Sequence, residues 1–253
     1  MMQHIALFGV PRSGTTWLGQ LLNAHPAIAY RYQPLFSYEF KNYLSADFSA
    51  EDAQDFHHKL LHAQSEFVLP KHDFDKADPT ALLYKNVRYH QLAERLLEQS
   101  DVKMLFISRD PISVLNSWYN APREFYPEWD IDQEWEHAPA KNGGRPEEFF
   151  GFEGWARAEQ IHRENAQKFP ERVKVVRYDD LVAATLAEVS EIFEWLGMEL
   201  ATQVGKFIAA TGDRNDNSTY SVFKSPSPVT LPAHIQTQII QRTKQLTYVD
   251  YYA

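Results

Sequence analysis

The stretch FGVPRSGTTWL, residues 8–18, decides the fold predicted for this chain. Within it, Gly9–Thr16 fits the pattern GxxxxGx[ST], in which backbone N–H groups of a loop and of the following helix point at one anion. The apolar run His4–Phe8 precedes the loop, and Thr15–Ala24 follows it with apolar residues at helical spacing. This order of strand, tight loop and helix predicts a phosphate-binding loop at the start of a nucleotide-binding α/β domain.

The charged and hydroxyl side chains of the loop differ from those of a nucleoside triphosphate site. Such a site has Lys directly after the second Gly, where it reaches the β and γ phosphates, whereas this chain has Thr15 there. The cation of the loop is Arg12, and its hydroxyls come from Ser13, Thr15 and Thr16. These groups suit an anion that is held by the end nearest the loop. They include no obvious lysine for a γ phosphate.

Three further apolar or β-branched segments, each followed by a helical pattern, extend the α/β alternation. We therefore predict a three-layer αβα fold of the phosphate-loop type, with a central parallel sheet, in a single domain spanning residues 1–253. Asp179 or Asp180 is expected to cap the helix that ends at Gly197. The predicted strands are Ala81–Val87, Val102–Ser108 and Val173–Tyr178; the predicted helices are Tyr89–Gln99, Ile112–Tyr119, Leu181–Leu196 and Ala233–Leu246.

Two irregular segments interrupt this alternation. Residues 120–146 contain four prolines and a Gly143-Gly144 pair and exceed an ordinary connection, which indicates an insertion or a substrate-facing lid. Residues 211–232 are rich in Ser, Thr, Asn, Asp and Pro and precede the last helix. Aromatic residues near the insertion either stack on an apolar or ring-shaped acceptor or form a small core that fixes it. They are Trp118, Tyr119, Phe125, Tyr126, Trp129 and Trp135.

The composition of the chain narrows the possible partners and compartments. Acidic residues exceed basic ones, 34 against 25, which gives a formal charge of −9 and argues against a nucleic-acid partner. The absence of Cys excludes disulfides and thiolate chemistry and fits a reducing compartment. The sequence has no apolar run of about 18 residues and no charged leader before the first strand. We therefore expect a cytoplasmic protein without membrane insertion, and its oligomeric state stays open.

A second motif, FISRDPISVLNSW at residues 106–118, ends one predicted strand and begins the next helix. Arg109 closes the strand, Pro111 stands where a helix can begin, and Ser117 follows Arg109 by eight residues, on the same side of that helix. Together with PRSGTTWL at residues 11–18, this motif resembles the sulfotransferase family. The resemblance implies transfer of a sulfuryl group from 3′-phosphoadenosine 5′-phosphosulfate (PAPS) to a hydroxyl or amine of a small-molecule or carbohydrate acceptor.

The resemblance assigns the two phosphates of PAPS to the two motifs. The 3′-phosphate is expected at Arg109 and Ser117. Charge that develops on the departing phosphate oxygen would be stabilised by Arg12 and by the N–H groups of the loop, and no metal ion is expected. The residues expected around the 5′-phosphosulfate are Pro11, Arg12, Ser13, Gly14, Thr15 and Thr16.

Two other segments extend the resemblance to the adenine end of the donor. VVRYDDLV, residues 175–182, resembles a third motif of the family, which makes Tyr178 and Trp17 candidates for contact with the adenine ring. NSTYSVFKSP, residues 217–226, occupies the place where the family folds a loop over the cofactor. Lys224 in this segment is a candidate for contact with the 3′-phosphate, or a solvated loop lysine.

The general base is the part of the family pattern that this chain lacks. Members often carry His two residues after a strand-end Lys, or Glu before Pro after the first helix, but Val87 and Gln33 occupy these places. A hydroxyl or amine acceptor still needs a group that takes its proton. Glu39, His90 and Lys85 are the candidates, with Glu39 first because a helix starting near Gln33 would carry it to the same cleft.

Two rival functions share this fold and loop. One is a phosphate-loop kinase acting on a small molecule, against which Thr15 argues because it stands where a kinase of this type has Lys. The other is a non-catalytic nucleotide-binding protein derived from a sulfotransferase, which the missing base keeps open.

Overall fold

A computed structural model describes residues 2–70, 74–76, 78–211 and 230–251, and in this part of the chain five strands form one sheet. The strands are β1 (Gln3–Phe8), β2 (Ile28–Tyr32), β3 (Ala81–Asn86), β4 (Lys103–Ser108) and β5 (Val173–Arg177). Their order is β2-β3-β1-β4-β5, and every neighbouring pair is parallel. All carboxyl ends therefore meet at one edge, with β1 and its loop in the middle.

Helices connect these strands, and most of the predicted ones are present. The helix expected at Leu181–Leu196 is wrong as a single helix, because the chain breaks at Ala184. Neither predicted aspartate caps it, since Tyr178 already begins the first piece and both carboxylates lie in its first turn. Gly197 ends the second piece with a φ of 76°, as predicted. In the described residues the helices are α1 (Thr15–Asn23), α2 (Ala50–His62), α3 (Ala93–Gln99), α4 (Pro111–Tyr119), α5 (Ile131–Glu134), α6 (Pro139–Asn142), α7 (Gly151–Lys168), α8 (Tyr178–Ala183), α9 (Thr185–Leu196), α10 (Thr202–Thr211) and α11 (Ala233–Thr243), with 3₁₀ turns at Pro34–Phe36 and His90–Leu92.

Alternating side chains of the sheet feed two separate apolar layers. Ala6 and Phe8 of β1 face a cluster formed with α2 and α3, while Ile5 and Leu7 face a cluster formed with α1 and α9. A sheet covered by helices on both faces is the three-layer αβα arrangement. The predicted fold class is confirmed.

β2 is absent from the predicted strands because Arg31 stands in the middle of a five-residue segment. In the structure Arg31 is nevertheless buried at the sheet edge. Its guanidinium donates to the carbonyl oxygens of Tyr30 at 3.0 Å and Leu60 at 2.8 Å, and also to that of Leu61. A buried cation whose donors are all directed at acceptors can be accommodated in a strand, although hydropathy alone speaks against it.

α7, with 18 residues, is also missing from the predicted elements. Its buried face includes three polar side chains, Glu159, His162 and Asn165, which obscure the apolar periodicity that marks a helix. None of the helices in the described ranges is long and apolar enough to cross a bilayer.

The insertion at residues 120–146 contains α5 and α6 and is held by its aromatic side chains. Trp118, Phe125 and Trp135 are buried in a third apolar cluster, together with residues of α7 and α11. Tyr126 is 46% exposed. Of the two alternatives considered for the aromatic residues, these three buried rings form the small core that fixes the insertion.

Three buried histidines make the fold sensitive to acid. Burial lowers the pKa of His57 and of His90 from 6.5 to about 3, and it lowers that of His162 well below 6.5. These rings are neutral in the fold and take up protons when unfolding exposes them, so their effect is absent above pH 6.5 and grows as the pH falls toward 3. Each such histidine should reduce the free energy of unfolding by about 1.4 kcal/mol per pH unit in that range, which urea denaturation at several pH values would measure.

Two neighbouring histidines of α2 provide a matched control. His57 is buried and lies 3.1 Å from the hydroxyl of Tyr84, whereas His58 is exposed. We expect His57→Gln to lower the number of protons taken up on unfolding by about one, and so to reduce the pH dependence of the free energy of unfolding. His58→Gln removes an exposed imidazole of the same helix, and equal pH dependence in both variants would contradict this explanation.

Candidate active site

The loop between β1 and α1 has the backbone geometry of an anion site. Arg12 and Gly14 adopt left-handed conformations with φ of 73° and 100°, and the Ser13 N–H donates to the Val10 carbonyl oxygen at 3.1 Å. The first hydrogen bond within the helix runs from the Leu18 N–H to the Gly14 carbonyl oxygen at 3.1 Å. The N–H groups of the first turn therefore have no partner inside α1, and they point with the positive end of the helix at one place.

Position 14 requires glycine for two reasons. Its φ of 100° is one that residues with a side chain rarely adopt, and a Cβ there would lie 2.6 Å from the ring of Tyr178. Tyr178, at the start of α8, also contacts Trp17 edge to face, with ring centroids 6.0 Å apart. The two residues predicted to contact an adenine ring thus lie together beside the loop.

The two sequence motifs meet through Arg12. Its Nε donates to the hydroxyl of Ser117 at 3.2 Å, and its carbonyl oxygen accepts from Nη1 of Arg109 at 2.9 Å. The guanidinium of Arg109 also lies over the ring of Tyr178, 4.1 Å from its centroid. Pro111 begins α4, as predicted from the second motif. The structure therefore brings the predicted contacts of the 5′ and 3′ phosphates into one site.

Several buried polar atoms around the loop lack a hydrogen-bond partner among the described residues. They are Oγ of Ser13, Nε1 of Trp17 and Nε of Arg109. A buried donor without a partner costs about 1–3 kcal/mol, so a group of them around one loop indicates a ligand that would satisfy them. These donors, the helix N-terminus and the aromatic pair fit a nucleotide that carries anionic groups at two positions.

A lysine from the neighbouring strand completes the loop. Lys85 of β3 is 1% exposed, and its Nζ donates to the hydroxyl of Thr16 at 2.9 Å. The ammonium also lies 4.0 Å from the ring centroid of Tyr32. Burial lowers the pKa of Lys85 to about 7, and the nearby carboxylate of Glu124 opposes this effect. β3 thus places a buried lysine against a loop that has no lysine of its own.

Glu124, which the sequence motifs did not single out, reaches the same group of cations. Its Oε2 lies 3.8 Å from Nη1 of Arg12. The backbone of Glu124 is fixed, since its N–H donates to the Ala121 carbonyl oxygen at 2.8 Å and its carbonyl oxygen accepts from Nε1 of Trp118 at 3.0 Å. In the sequence, Glu124 is marked only by its position a few residues after the helix of the second motif. No sequence pattern distinguishes a single glutamate within a proline-rich insertion.

Glu39 does not lie on the helix expected to carry it toward the cleft. Gln33 adopts a left-handed φ of 47°, only a 3₁₀ turn at Pro34–Phe36 follows, and Ser37 is already extended. The side chain of Glu39 is exposed. The expectation of a helix from Gln33 to Glu39 is therefore wrong.

His90 lies on the opposite face of the sheet from Lys85. Its Nδ1 is 2.8 Å from Nε2 of His162 on α7, and its ring packs against Phe8 and Phe149. Lys85, in contrast, points to the face covered by α1. Because His90 is 0% exposed, it has no open path to an acceptor in this conformation.

Lys224 and most of the segment at 211–232 lie outside the described residues. Across the described ranges, no group of three or more His, Asp or Glu side chains is arranged to hold a metal ion.

The fold and the site define a phosphate-loop α/β protein with two anion-binding motifs. A family model, described as the sulfotransferase family, matches residues 4–202, a range that includes both motifs. The chain therefore belongs to the sulfotransferase family, which confirms the resemblance seen in its sequence. A search of curated proteins found no match.

Solved sulfotransferases have a similar fold. One from Alicyclobacillus acidocaldarius has 15% identity and a TM-score of 0.61, covering 97% of this chain and 92% of that chain. A mouse sulfotransferase complexed with PAP has 13% identity and a TM-score of 0.60, covering 99% and 86%. The sulfotransferase domain of the Synechococcus olefin synthase has 18% identity and a TM-score of 0.56, covering 98% and 96%. At these identities the likeness shows the fold.

Proposed function

We propose that this chain transfers the sulfuryl group of PAPS to a hydroxyl or amine of a small molecule or carbohydrate. The supporting observation is the hydrogen bond from Arg12 to Ser117, which joins the loop to the second motif. The joined motifs offer places for two anions in one site, and PAPS carries phosphates at its 5′ and 3′ positions. Membership of the sulfotransferase family supports the reaction class.

The residues of the site divide the binding of PAPS between them. The N-terminus of α1, with Thr15 and Thr16, holds the 5′-phosphosulfate. Arg109 and Ser117 hold the 3′-phosphate, and the rings beside the loop hold the adenine. When bound, PAPS supplies an activated sulfuryl group with 3′,5′-bisphosphoadenosine (PAP) as the leaving group.

Two cations of the site serve the transfer itself. Arg12 belongs to the loop, and Lys85 reaches it from β3. Both are fixed by hydrogen bonds to loop or motif hydroxyls before any ligand binds. Such preorganised cations stabilise charge that develops on the departing phosphate oxygen.

A small-molecule kinase is the second candidate function, and Lys85 is the observation that favours it. Its ammonium contacts the hydroxyl of Thr16 in the loop motif, and a kinase of this type uses a lysine at the loop to reach the β and γ phosphates. The position of Arg109 and Ser117 beside Arg12 counts against a kinase, because ATP has no 3′-phosphate for them to bind.

Ligand binding distinguishes the two functions. We expect PAP to bind in calorimetry and to raise the melting temperature, because it places an anion at each motif. ATP with magnesium, at the same concentration, should have little effect. The absence of PAP binding at high micromolar concentration would refute the proposal, and a larger shift with ATP would favour the kinase. A screen of acceptors with labelled PAPS would then identify the acceptor class.

A further inference from the structure

The carboxylate of Glu124 lies among the cations of the site. Its Oε2 is 3.8 Å from the guanidinium of Arg12. Burial lowers the pKa of Lys85 and of Lys141, and the negative charge of Glu124 opposes this effect in both. Next to a site for a ligand with several negative charges, a carboxylate weakens binding by repulsion. Its placement there therefore calls for a role other than holding the donor.

One oxygen of the Glu124 carboxylate also has no hydrogen-bond partner among the described residues. Its Oε2 is buried and accepts no hydrogen bond among the described residues, and its contact with Arg12 at 3.8 Å is longer than a hydrogen bond. The side chain as a whole is 35% exposed, so a small molecule can approach it. The backbone contacts to Ala121 and Trp118 hold the residue in place.

We propose that Glu124 is the catalytic residue that takes the proton of the acceptor, an inference that rests on the proposed sulfuryl transfer. The acceptor O–H or N–H bond breaks, and its proton passes to the Glu124 carboxylate. The acceptor atom forms a bond to sulfur, and the bond between sulfur and the 5′-phosphate oxygen breaks, its electron pair leaving with PAP. Arg12 balances the charge on the departing oxygen. Glu124 thus fills the role that Gln33 and Val87 cannot.

The first test of this inference is binding, which requires no acceptor. Glu124→Gln removes the charge beside Arg12, whereas Glu128→Gln removes the charge of an exposed glutamate in the same insertion. We expect calorimetry to show that Glu124→Gln binds PAP about threefold to tenfold more tightly than the wild type, since like-charge repulsion is removed. Glu128→Gln should bind as the wild type does. Equal affinities in all three proteins would show that Glu124 is not next to the anion, and would overturn the inference.

The second test uses the acidity of the acceptor. Benzyl alcohol needs a base, whereas 4-nitrophenol is largely ionised in mildly alkaline buffer and does not. We expect Glu124→Gln to slow sulfuryl transfer to benzyl alcohol by about 100-fold or more and transfer to 4-nitrophenol by only a few-fold. With water as the acceptor, the rate of PAP release from PAPS should fall as it does with the alcohol.

Each outcome of these tests decides between the two proposals. Equal losses with both acceptors would assign Glu124 a positioning role and overturn the inference while the proposed function stands. If neither probe is sulfated, the rate of PAP release with water as the acceptor decides. Equal rates in Glu124→Gln and the wild type would overturn the inference while the proposed function stands. A wild-type protein that binds no PAP would instead refute the proposed function, and the inference with it.

Discussion

Lys85→Met is expected to bind PAP but to turn over PAPS about 100- to 1000-fold more slowly than the wild type. The Nζ of Lys85 is buried against the loop, 2.9 Å from the hydroxyl of Thr16, where it can stabilise charge on the departing phosphate oxygen. Methionine has a similar length and an adaptable shape, so it removes the cation without leaving a large cavity. Turnover of labelled PAPS and calorimetry with PAP would measure the two effects separately.

The pH dependence of PAP binding provides a second measurement on Lys85. Burial lowers its pKa to about 7, so the free protein loses this cation as the pH rises through 7. PAP affinity should therefore weaken above pH 7, and Lys85→Met should abolish this weakening. Lys41→Met, which alters an exposed lysine, should behave as the wild type. Turnover in Lys85→Met within a few-fold of the wild-type value would show that the cation does not act in the transfer.

Arg109→Ala should weaken the binding of PAP by about 10- to 100-fold, the usual effect of losing a charge-assisted hydrogen bond. Its guanidinium lies between the carbonyl oxygen of Arg12 and the ring of Tyr178, and its Nε has no partner among the described residues. Adenosine 5′-phosphate, which lacks the 3′-phosphate, should bind equally to Arg109→Ala and the wild type. Calorimetry with the two nucleotides would measure the difference.

Arg177 provides a matched control for Arg109. It ends the neighbouring strand β5 and is already paired with Asp250, whose Oδ1 lies 2.7 Å from its Nη1. Arg177→Ala tests whether the loss of any positive charge at this edge of the sheet is enough to weaken the binding of PAP. Equal losses of both nucleotides in Arg109→Ala would indicate that Arg109 acts by shaping the loop through Arg12, and not by contacting the 3′-phosphate.

The two motifs proposed to bind the donor could be predicted because each is continuous in the sequence. The spacing of Gly9 and Gly14, followed by hydroxyl residues, specifies a turn and a helix start whose geometry is local. The eight-residue interval from Arg109 to Ser117 likewise specifies two turns of one helix. What the structure adds is that Ser117 and Arg109 both contact Arg12.

The positions of Lys85 and Glu124 depend on contacts between distant segments, which local patterns do not specify. The direction of the Lys85 side chain follows from the pairing of β3 beside β1, and Glu124 meets Arg12 only because the insertion folds back over the loop. The sequence places Glu39 on a helix that starts near Gln33, but in the structure the 3₁₀ turn ends at Phe36 and Ser37 is extended. His90 is a candidate in the sequence because it follows the strand that carries Lys85, but in the structure it belongs to a buried layer.

The left-handed backbone of Arg12 has a consequence for engineering this protein. A residue with a Cβ at its φ of 73° is less stable than glycine would be, by about 1–2 kcal/mol. The loop nevertheless has arginine there, and the side chain reaches Ser117 and Glu124 from that strained position. Under the proposed function, heat resistance and catalysis compete at this residue, so variants selected for thermal tolerance alone would drift toward glycine and lose the cation.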